Sequence, residues 1–514
     1  MNKQFFKNRR AKYGGVSILV TALLLACILL ANALFGMLAA RYGWYIDLHP
    51  TQTFPVGEKS TALVKTALDA AGGEAARVEL HFCDNPENLE EGKLVSYLYA
   101  TAKEFAARDG RIELFYHDIL LDPSSVAGYL TSTVIYPETG EETERPITLQ
   151  KTSLIVASGE YHRAYSTNEF FQWESGSSSP TAYAGEKKLA SAILRAVAPA
   201  TPIACLTNNH GEAYYDYEIL YLLDDAGYRL DYIDLTQSVI PEACSLIVCF
   251  NPNNDLAERS ALSGVSEKEI LDDFLSTPGH ALLVFLENRT PELPVLDAYL
   301  SEWGVSPCYS VSETANYRYM IRDEMGSLTS DGYTISGKTN GAGLAEKLTS
   351  GISRSPVFSG ASGFRPAAGF VPVEEGTYQK GDRRVTALYE SGSGAVAYAN
   401  GKAVDADPVG LLAYAEQELP GGVSRVSVVF SVTFATEEWI QPAAYGNADV
   451  LLRLTEEMSG NANVGGIPAV SFPSSVMHGL SRGARIGWTL ALTLTPAVIL
   501  AAVAIPVLLR RKYD

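Results

Sequence analysis

The sequence predicts an α/β protein whose main body is tethered to a membrane at both ends. Three observations carry that expectation. Uncharged apolar runs stand near each terminus, Val16 to Ala40 and Ile486 to Leu509, and each exceeds the about 20 residues that a hydrocarbon core requires. Between them, short apolar strand-like runs alternate with amphipathic helical runs, the pattern of parallel strands covered by helices. At 514 residues the chain is also longer than one ordinary core holds, so more than one folded unit is expected.

Charge orients the two spans. Lys3, Lys7, Arg9, Arg10 and Lys12 precede the first, and Arg510, Arg511 and Lys512 follow the second. The positive-inside bias then places both tails, 1–15 and 510–514, in the cytoplasm, with transmembrane helices at 16–40 and 486–509 and everything between them outside. Arg482 and Arg485 at the outer end of the second span run against that bias, but the first span dominates orientation. The first run is too long for the apolar region of a cleaved signal peptide. LLAC (Leu24 to Cys27) has the look of a lipoprotein cleavage box, yet the apolar run continues well past Cys27. The tails hold eight of the 40 basic residues and, in Asp514, one of the 59 acids, so the outer region holds 32 basic against 58 acidic residues, a net −26, against −19 for the whole chain. So acidic a surface repels nucleic acid and anionic headgroups, and neither is expected as a partner of the outer region.

The first α/β unit spans 45–184. A helix begins near Glu58; then come a strand, Arg77 to Cys83, a helix, Lys93 to Arg108, and a strand, Arg111 to Ile119, which together read as a βαβ unit. Thr133 to Phe171 breaks into short alternating segments, expected as a small antiparallel extension. The Ser/Gly-rich stretch Phe171 to Gly185 marks a boundary. The second unit, 185–460, opens with a helix, GEKKLASAILRAV. Strands are expected at Ile203 to Leu206, Tyr228 to Leu235, Leu246 to Phe250 and Ala281 to Leu286, with helices near Tyr214 to Asp225 and Ser266 to Leu275. Such alternation gives a doubly wound, mostly parallel sheet. About 305–400 reads as an inserted set of β-hairpins, a strand resumes at Ser424, and ADVLLRLTEEMSG supplies a last helix. Residues 461–485 read as a tether to the second span.

The stretch LTNNHGE (Leu206 to Glu212) falls at the carboxyl end of the first strand of the second unit, where open α/β sheets bind ligands. Asn209, His210, Gly211 and Glu212 are therefore the candidate ligand- or partner-binding residues. Histidine moves protons near neutral pH and glutamate can pair with it or with a ligand amine. The alternative is a local turn, with Gly211 at positive φ and Glu212 at the positive end of the next helix. Spacing favours the turn, and no second catalytic group lies nearby in sequence. GYTISGKT (Gly332 to Thr339) fits the phosphate-loop pattern, but the polar SLTSD before it is no buried strand. GLSRG (Gly479 to Gly483) fits a nucleophile elbow around Ser481 but lies in the tether. Six cysteines, Cys27, Cys83, Cys205, Cys244, Cys249 and Cys308, include no C-x-x-C pair, so neither a zinc site nor a redox motif is expected. Cys249 ends a strand without a histidine beside it in sequence and reads as a core thiol. Asn32, Pro496 and Pro506 lie within the spans, but two helices cannot enclose a translocation path. No catalytic residue, metal or cofactor is assigned.

The layout resembles the Gldg family, the gliding-motility-associated type of ABC transporter auxiliary component, over nearly the whole chain. The resemblance rests on DLHPTQTF (Asp47 to Phe54) after the first span, on GEKKLASAIL, on LTNNHGE where the family usually has L-T-G-H-G-E, on IPEACSLIVCFNPNNDL, and on a final span ending in arginines. His210, Gly211 and Glu212 match the family motif, whereas Asn209 replaces its glycine. The resemblance implies a thioredoxin-like unit followed by a flavodoxin/amidotransferase-like unit without established chemistry. It also implies a bacterial cell-membrane location, with a multi-span permease and a cytoplasmic ATPase as partners. Two functions are thus expected in order: a non-enzymatic auxiliary membrane subunit whose outer domain binds a small-molecule ligand, a partner or the cell wall, or a membrane-anchored amidohydrolase or amidotransferase-like enzyme using Cys249 or His210.

Overall fold

The computed structural model describes residues 55–495, apart from 136–141, 174–178, 199–200, 238, 260–263, 265, 312–315, 340, 353, 443, 461–462 and 473–480. The first expected span, the Asp47 to Phe54 motif and residues 496–509 of the second span lie outside the described residues. Among those described, no helix is long and apolar enough to cross a membrane. Residues 482–495 are helical, and Trp488, Leu490, Leu492 and Leu494 on that segment are exposed.

The chain is a mixed α/β protein with several sheets. Helix α1 (Glu58–Gly72) leads into strand β1 (Val78–Phe82), helix α2 (Val95–Arg108) and strand β2 (Ile112–Tyr116), with β1 and β2 parallel in register Val78 to Ile112. Strand β3 (Leu154–Ser158) pairs antiparallel with β1, and β4 (Tyr161–Tyr165) with β3, so the sheet order is β2-β1-β3-β4. The 154–165 part of the expected antiparallel extension therefore shares the sheet of the βαβ unit, whereas Thr131–Ile135 and Glu142–Pro146 pair as a separate hairpin. A short hairpin, β5 (Phe171–Trp173) and β6 (Pro180–Tyr183), then delivers the chain to α3 (Gly185–Val197).

Beyond α3 the second unit runs β7 (Ile203–Thr207), α4 (Glu218–Asp225), β8 (Arg229–Ile233), β9 (Cys244–Phe250), α5 (Glu267–Leu275), β10 (Ala281–Phe285) and α6 (Pro294–Glu302). Later come β11 (Arg383–Glu390), β12 (Gly410–Leu419), β13 (Gly422–Val429) and α7 (Asn447–Ser459). The main sheet has the order β8-β7-β9-β10-β13-β12-β11 and continues beyond β11 through Thr377–Lys380 and Val371–Glu374. The first five are mutually parallel. Counted from β7, their order is 2-1-3-4-5, a doubly wound arrangement. Alternate side chains go to opposite faces: Leu206, Val248 and Leu283 enter one core cluster, and Cys205, Ile247, Cys249 and Val284 the other. Both faces are thus buried, which is why these strands read as unbroken apolar runs.

Three local expectations change. The strand β11 belongs to the expected insertion yet joins the main sheet against β12, and β12 pairs antiparallel with β13, so the sheet is parallel on one side and antiparallel on the other. The Gly/Ser/Thr content of 305–400 hid that strand. The helix expected from Tyr214 begins only at Glu218, whose amide is held by the Asp216 carboxylate, while Tyr214 instead stacks on Phe250 at 4.8 Å. Residues 463–472, expected within the tether, lie against the body: Val464 and Ile467 are buried, and Val470–Ser471 pairs with β6. One core cluster contains Leu68 of α1, Leu80 of β1, Ile193 of α3, Leu206 of β7 and Leu451 of α7, so residues from both expected units pack together.

Candidate functional site

In a sheet of order 2-1-3-4-5 the chain departs in opposite directions from the first and third strands, and a crevice opens at their carboxyl ends. Here that point lies between β7 and β9. The loop after β7 carries Asn209, His210, Gly211 and Glu212, and the loop after β9 carries Asn251, Asn253 and Asn254. The two loops are bonded to each other. The amides of Asn253 and Asn254 both donate to the His210 carbonyl at 2.8 Å, and the Asn253 side chain donates to the Gly211 carbonyl at 2.6 Å. Gly211 sits at φ +67°, and a Cβ there would stand 3.1 Å from Asn254 Nδ2, so the turn favours glycine on two counts.

His210 is the centre of this arrangement and is 2% exposed. Its Nδ1 faces Glu212 Oε1 at 3.1 Å and its Nε2 faces Glu267 Oε2 at 2.9 Å. Burial alone would lower its pKa, but the hydrogen bonds to Glu212 and Glu267 and their negative charges win, pushing it up to about 9. At neutral pH the imidazole is therefore charged, and both ring N–H groups donate. Both carboxylates resist burial and are held below the usual carboxylate range by His210 and their other donors. Glu212 Oε1 also accepts the Thr207 hydroxyl, and Glu212 Oε2 the His210 amide at 2.9 Å. Glu267 accepts the Ala257 amide and the Asn209 side chain, each at 2.6 Å, and opens α5, where the helix dipole favours a negative charge. The Oδ1 of Asn209 is buried without a hydrogen-bond partner among the described residues.

The geometry decides what this cluster can do. A general base needs a free ring nitrogen near the substrate, and both nitrogens of His210 already face carboxylates. Cys249, at the end of β9, has its sulfur within 4.8 Å of ligand atoms of His210 and Glu212, a spacing a metal ion could bridge. The donor set fits an ion poorly. Burial, then the nearby Glu212 charge, pushes the Cys249 thiol up to about 12, and a metal-binding His210 would have to give up the proton that Glu212 holds. His210, Glu212 and Glu267 read instead as a buried hydrogen-bonded ion network that fastens turn and helix start together, with Thr207 tying in the strand end.

The structure thus brings Asn209, His210 and Glu212 to one carboxylate-rich corner, with Gly211 supplying the turn. Sequence reasoning missed Glu267, Thr207 and the two asparagines after β9. Their signal was position: Thr207 ends one expected strand, Asn251 to Asn254 follow another, and Glu267 starts a helix. Glu287 was missed in the same way. It follows β10, is 1% exposed, and accepts the hydroxyl of Tyr215 and, at 3.1 Å, Arg289 Nε.

The other motifs have structural explanations. Ser481 caps the helical residues 482–495 by accepting the Ala484 amide at 3.2 Å. Within GYTISGKT, Thr334–Ser336 is a strand paired with Val357–Ser359, and Lys338 bonds by its backbone to Glu390; the next helix begins at Gly343, so no phosphate-binding loop forms. Cys83 is fully buried, and burial pushes its thiol up to about 11. No protein-family model, curated protein or solved structure matches the chain.

Proposed function

We propose that the chain is a non-enzymatic auxiliary membrane subunit of an ABC transporter, with its two apolar segments packed against a permease, a cytoplasmic ATPase as further partner, and the α/β body outside the cell as the binding domain. The observation that carries this reading is the closed Glu212–His210–Glu267 network: the switch-point crevice, where an enzyme of this sheet type would keep reactive groups free, is occupied by ionised side chains bonded to one another. The strand order β2-β1-β3-β4 supports the thioredoxin-like reading of the first unit, and the 2-1-3-4-5 order supports the flavodoxin/amidotransferase-like reading of the second. Exposed Trp488, Leu490, Leu492 and Leu494 support a second span that begins on the helical segment 482–495, and an aromatic at such a start suits a membrane interface.

Extraction of the full chain from its native membrane in mild detergent, followed by mass spectrometry of what accompanies it, tests the proposal. A permease and an ATPase are expected in near-stoichiometric amounts. Recovery as a lone species would overturn it. The enzyme reading keeps one supporting observation, the nearness of Cys249 to His210 and Glu212, and predicts that a thiol-directed reagent labels native Cys249.

A further inference from the structure

A cavity of about 500 Å³ lies where the segment 166–173 of the first unit meets α3, α4 and α7 of the second. That volume falls in the range of small-molecule sites, roughly 300–1,000 Å³. Its walls include the aromatic Phe170, Phe171, Trp173 and Tyr221, aliphatic groups such as Leu222, Ile440 and Leu452, and charged side chains.

The charges sort into two sets. Every basic side chain that lines the cavity is already matched: Arg163 pairs with Asp224 at 2.7 Å, Lys187 with Asp449 at 2.9 Å, and Lys188 with Asp225. Glu169, Glu218 and Glu437 also line it and form no ion pair among the described residues, although the charge of Lys188, itself paired with Asp225, reaches both Glu169 and Glu218. Glu169 accepts the Ser166 amide at 2.7 Å and Glu218 accepts the Gln441 side-chain amide at 3.0 Å, both neutral donors. A separate observation points the same way. Gln172 Oε1 is buried, lines the same cavity, and has no hydrogen-bond partner among the described residues. An acceptor left bare in a site with surplus carboxyl groups calls for a ligand that brings N–H donors and positive charge. Aromatic faces beside those carboxyl groups suit the remainder of such a ligand.

We propose that this cavity binds a small primary ammonium compound with an apolar or aromatic body. The ammonium sits among Glu169, Glu218 and Gln172, and the body lies against Trp173 and Tyr221. Burial, helped by the charges of Asp216 and Glu437 and opposed by the Gln441 hydrogen bond and the Lys188 charge, pushes the Glu218 carboxyl up to about 7, so near neutral pH the empty site is partly protonated and a bound cation displaces that proton. The proposal stands on the cavity alone and holds whatever partners the membrane segments have.

Isothermal titration of the full chain in detergent with 2-phenylethylammonium, against the uncharged 2-phenylethanol, tests it. Expected are saturable one-site binding of the ammonium and none of the alcohol, with affinity rising from about pH 5.5 to about pH 8.5 as Glu218 ionises. Glu218→Gln should weaken binding by roughly tenfold and flatten the pH dependence. Should that variant not fold, Glu169→Gln keeps the helix-capping acceptor and should still weaken binding several-fold. Equal binding of the alcohol, an unchanged affinity in both variants, or no saturation by the ammonium at millimolar concentration would each overturn the proposal.

Discussion

His210 shows how one residue type supports opposite readings until its neighbours are known. With Glu212 on one nitrogen and Glu267 on the other, it is the cation that makes two buried carboxylates tolerable. Replacing it by glutamine leaves two buried negative charges with one neutral donor group between them, and breaking a buried ion pair in this way costs about 3–5 kcal/mol. Thermal unfolding of His210→Gln should show that loss. Because the folded-state pKa of His210 is raised to about 9, the protonated network's stabilisation is complete below the histidine's ordinary pKa of about 6.5 and is lost as pH rises through about 9. The depressed carboxylates act at the other end, stabilising above their ordinary range and losing that effect on acidification. The wild type should therefore lose stability between about pH 6.5 and about pH 9, and the variant should lack that step. Cys249 offers a companion test. As a buried thiol held up to about 12, it should resist iodoacetamide in the native state and react only on unfolding. Rapid native labelling would restore the enzyme reading.

At the scale of elements, the strands and most helices were legible in the sequence because burial on both faces writes continuous apolar runs and amphipathic helices write a helical period. Ile203–Thr207, Cys244–Phe250 and Ala281–Phe285 fall within a residue or two of expectation. The turn after β7 was legible as a turn but not in its bonding. Its partners, Asn253 and Asn254, lie some forty positions along the chain, and only the parallel register of β7 with β9 brings them beside His210. Glu267 is farther still and reaches His210 because α5 packs on the opposite face from α4. No local pattern encodes such meetings. Gly211 tests the turn directly. Alanine ordinarily gains stability over glycine by restricting the unfolded chain, but at φ +67° it pays a left-handed backbone cost of about 1–2 kcal/mol. The close approach of Asn254 Nδ2 adds to this. Gly211→Ala should lower the unfolding midpoint, and a rise would mean that the turn is not fixed as described.

For the whole molecule, the sequence reading separates two units at Gly185, whereas the packing joins them through α3. Arg195 on α3 and Arg163 on β4 both bind the carboxylate of Asp224 on α4, and the three side chains are 8%, 15% and 7% exposed. Strand β4 of the first unit and the first two helices of the second, α3 and α4, are thereby fixed at one buried charge. Such a contact is invisible in the sequence because its three residues stand on separate elements. It also makes a prediction about cooperativity. With a core cluster that runs from Leu68 to Leu451, the body should unfold in one calorimetric transition whose van't Hoff and calorimetric enthalpies agree. Asp224→Asn removes the charge that Arg163 and Arg195 both contact and should cost about 3–5 kcal/mol. If Asp224 couples the units, the loss should fall on the joint rather than on either core, and the single transition should broaden or divide. A variant that melts lower but still in one sharp transition would locate the coupling instead in the apolar packing of α1, α3 and α7.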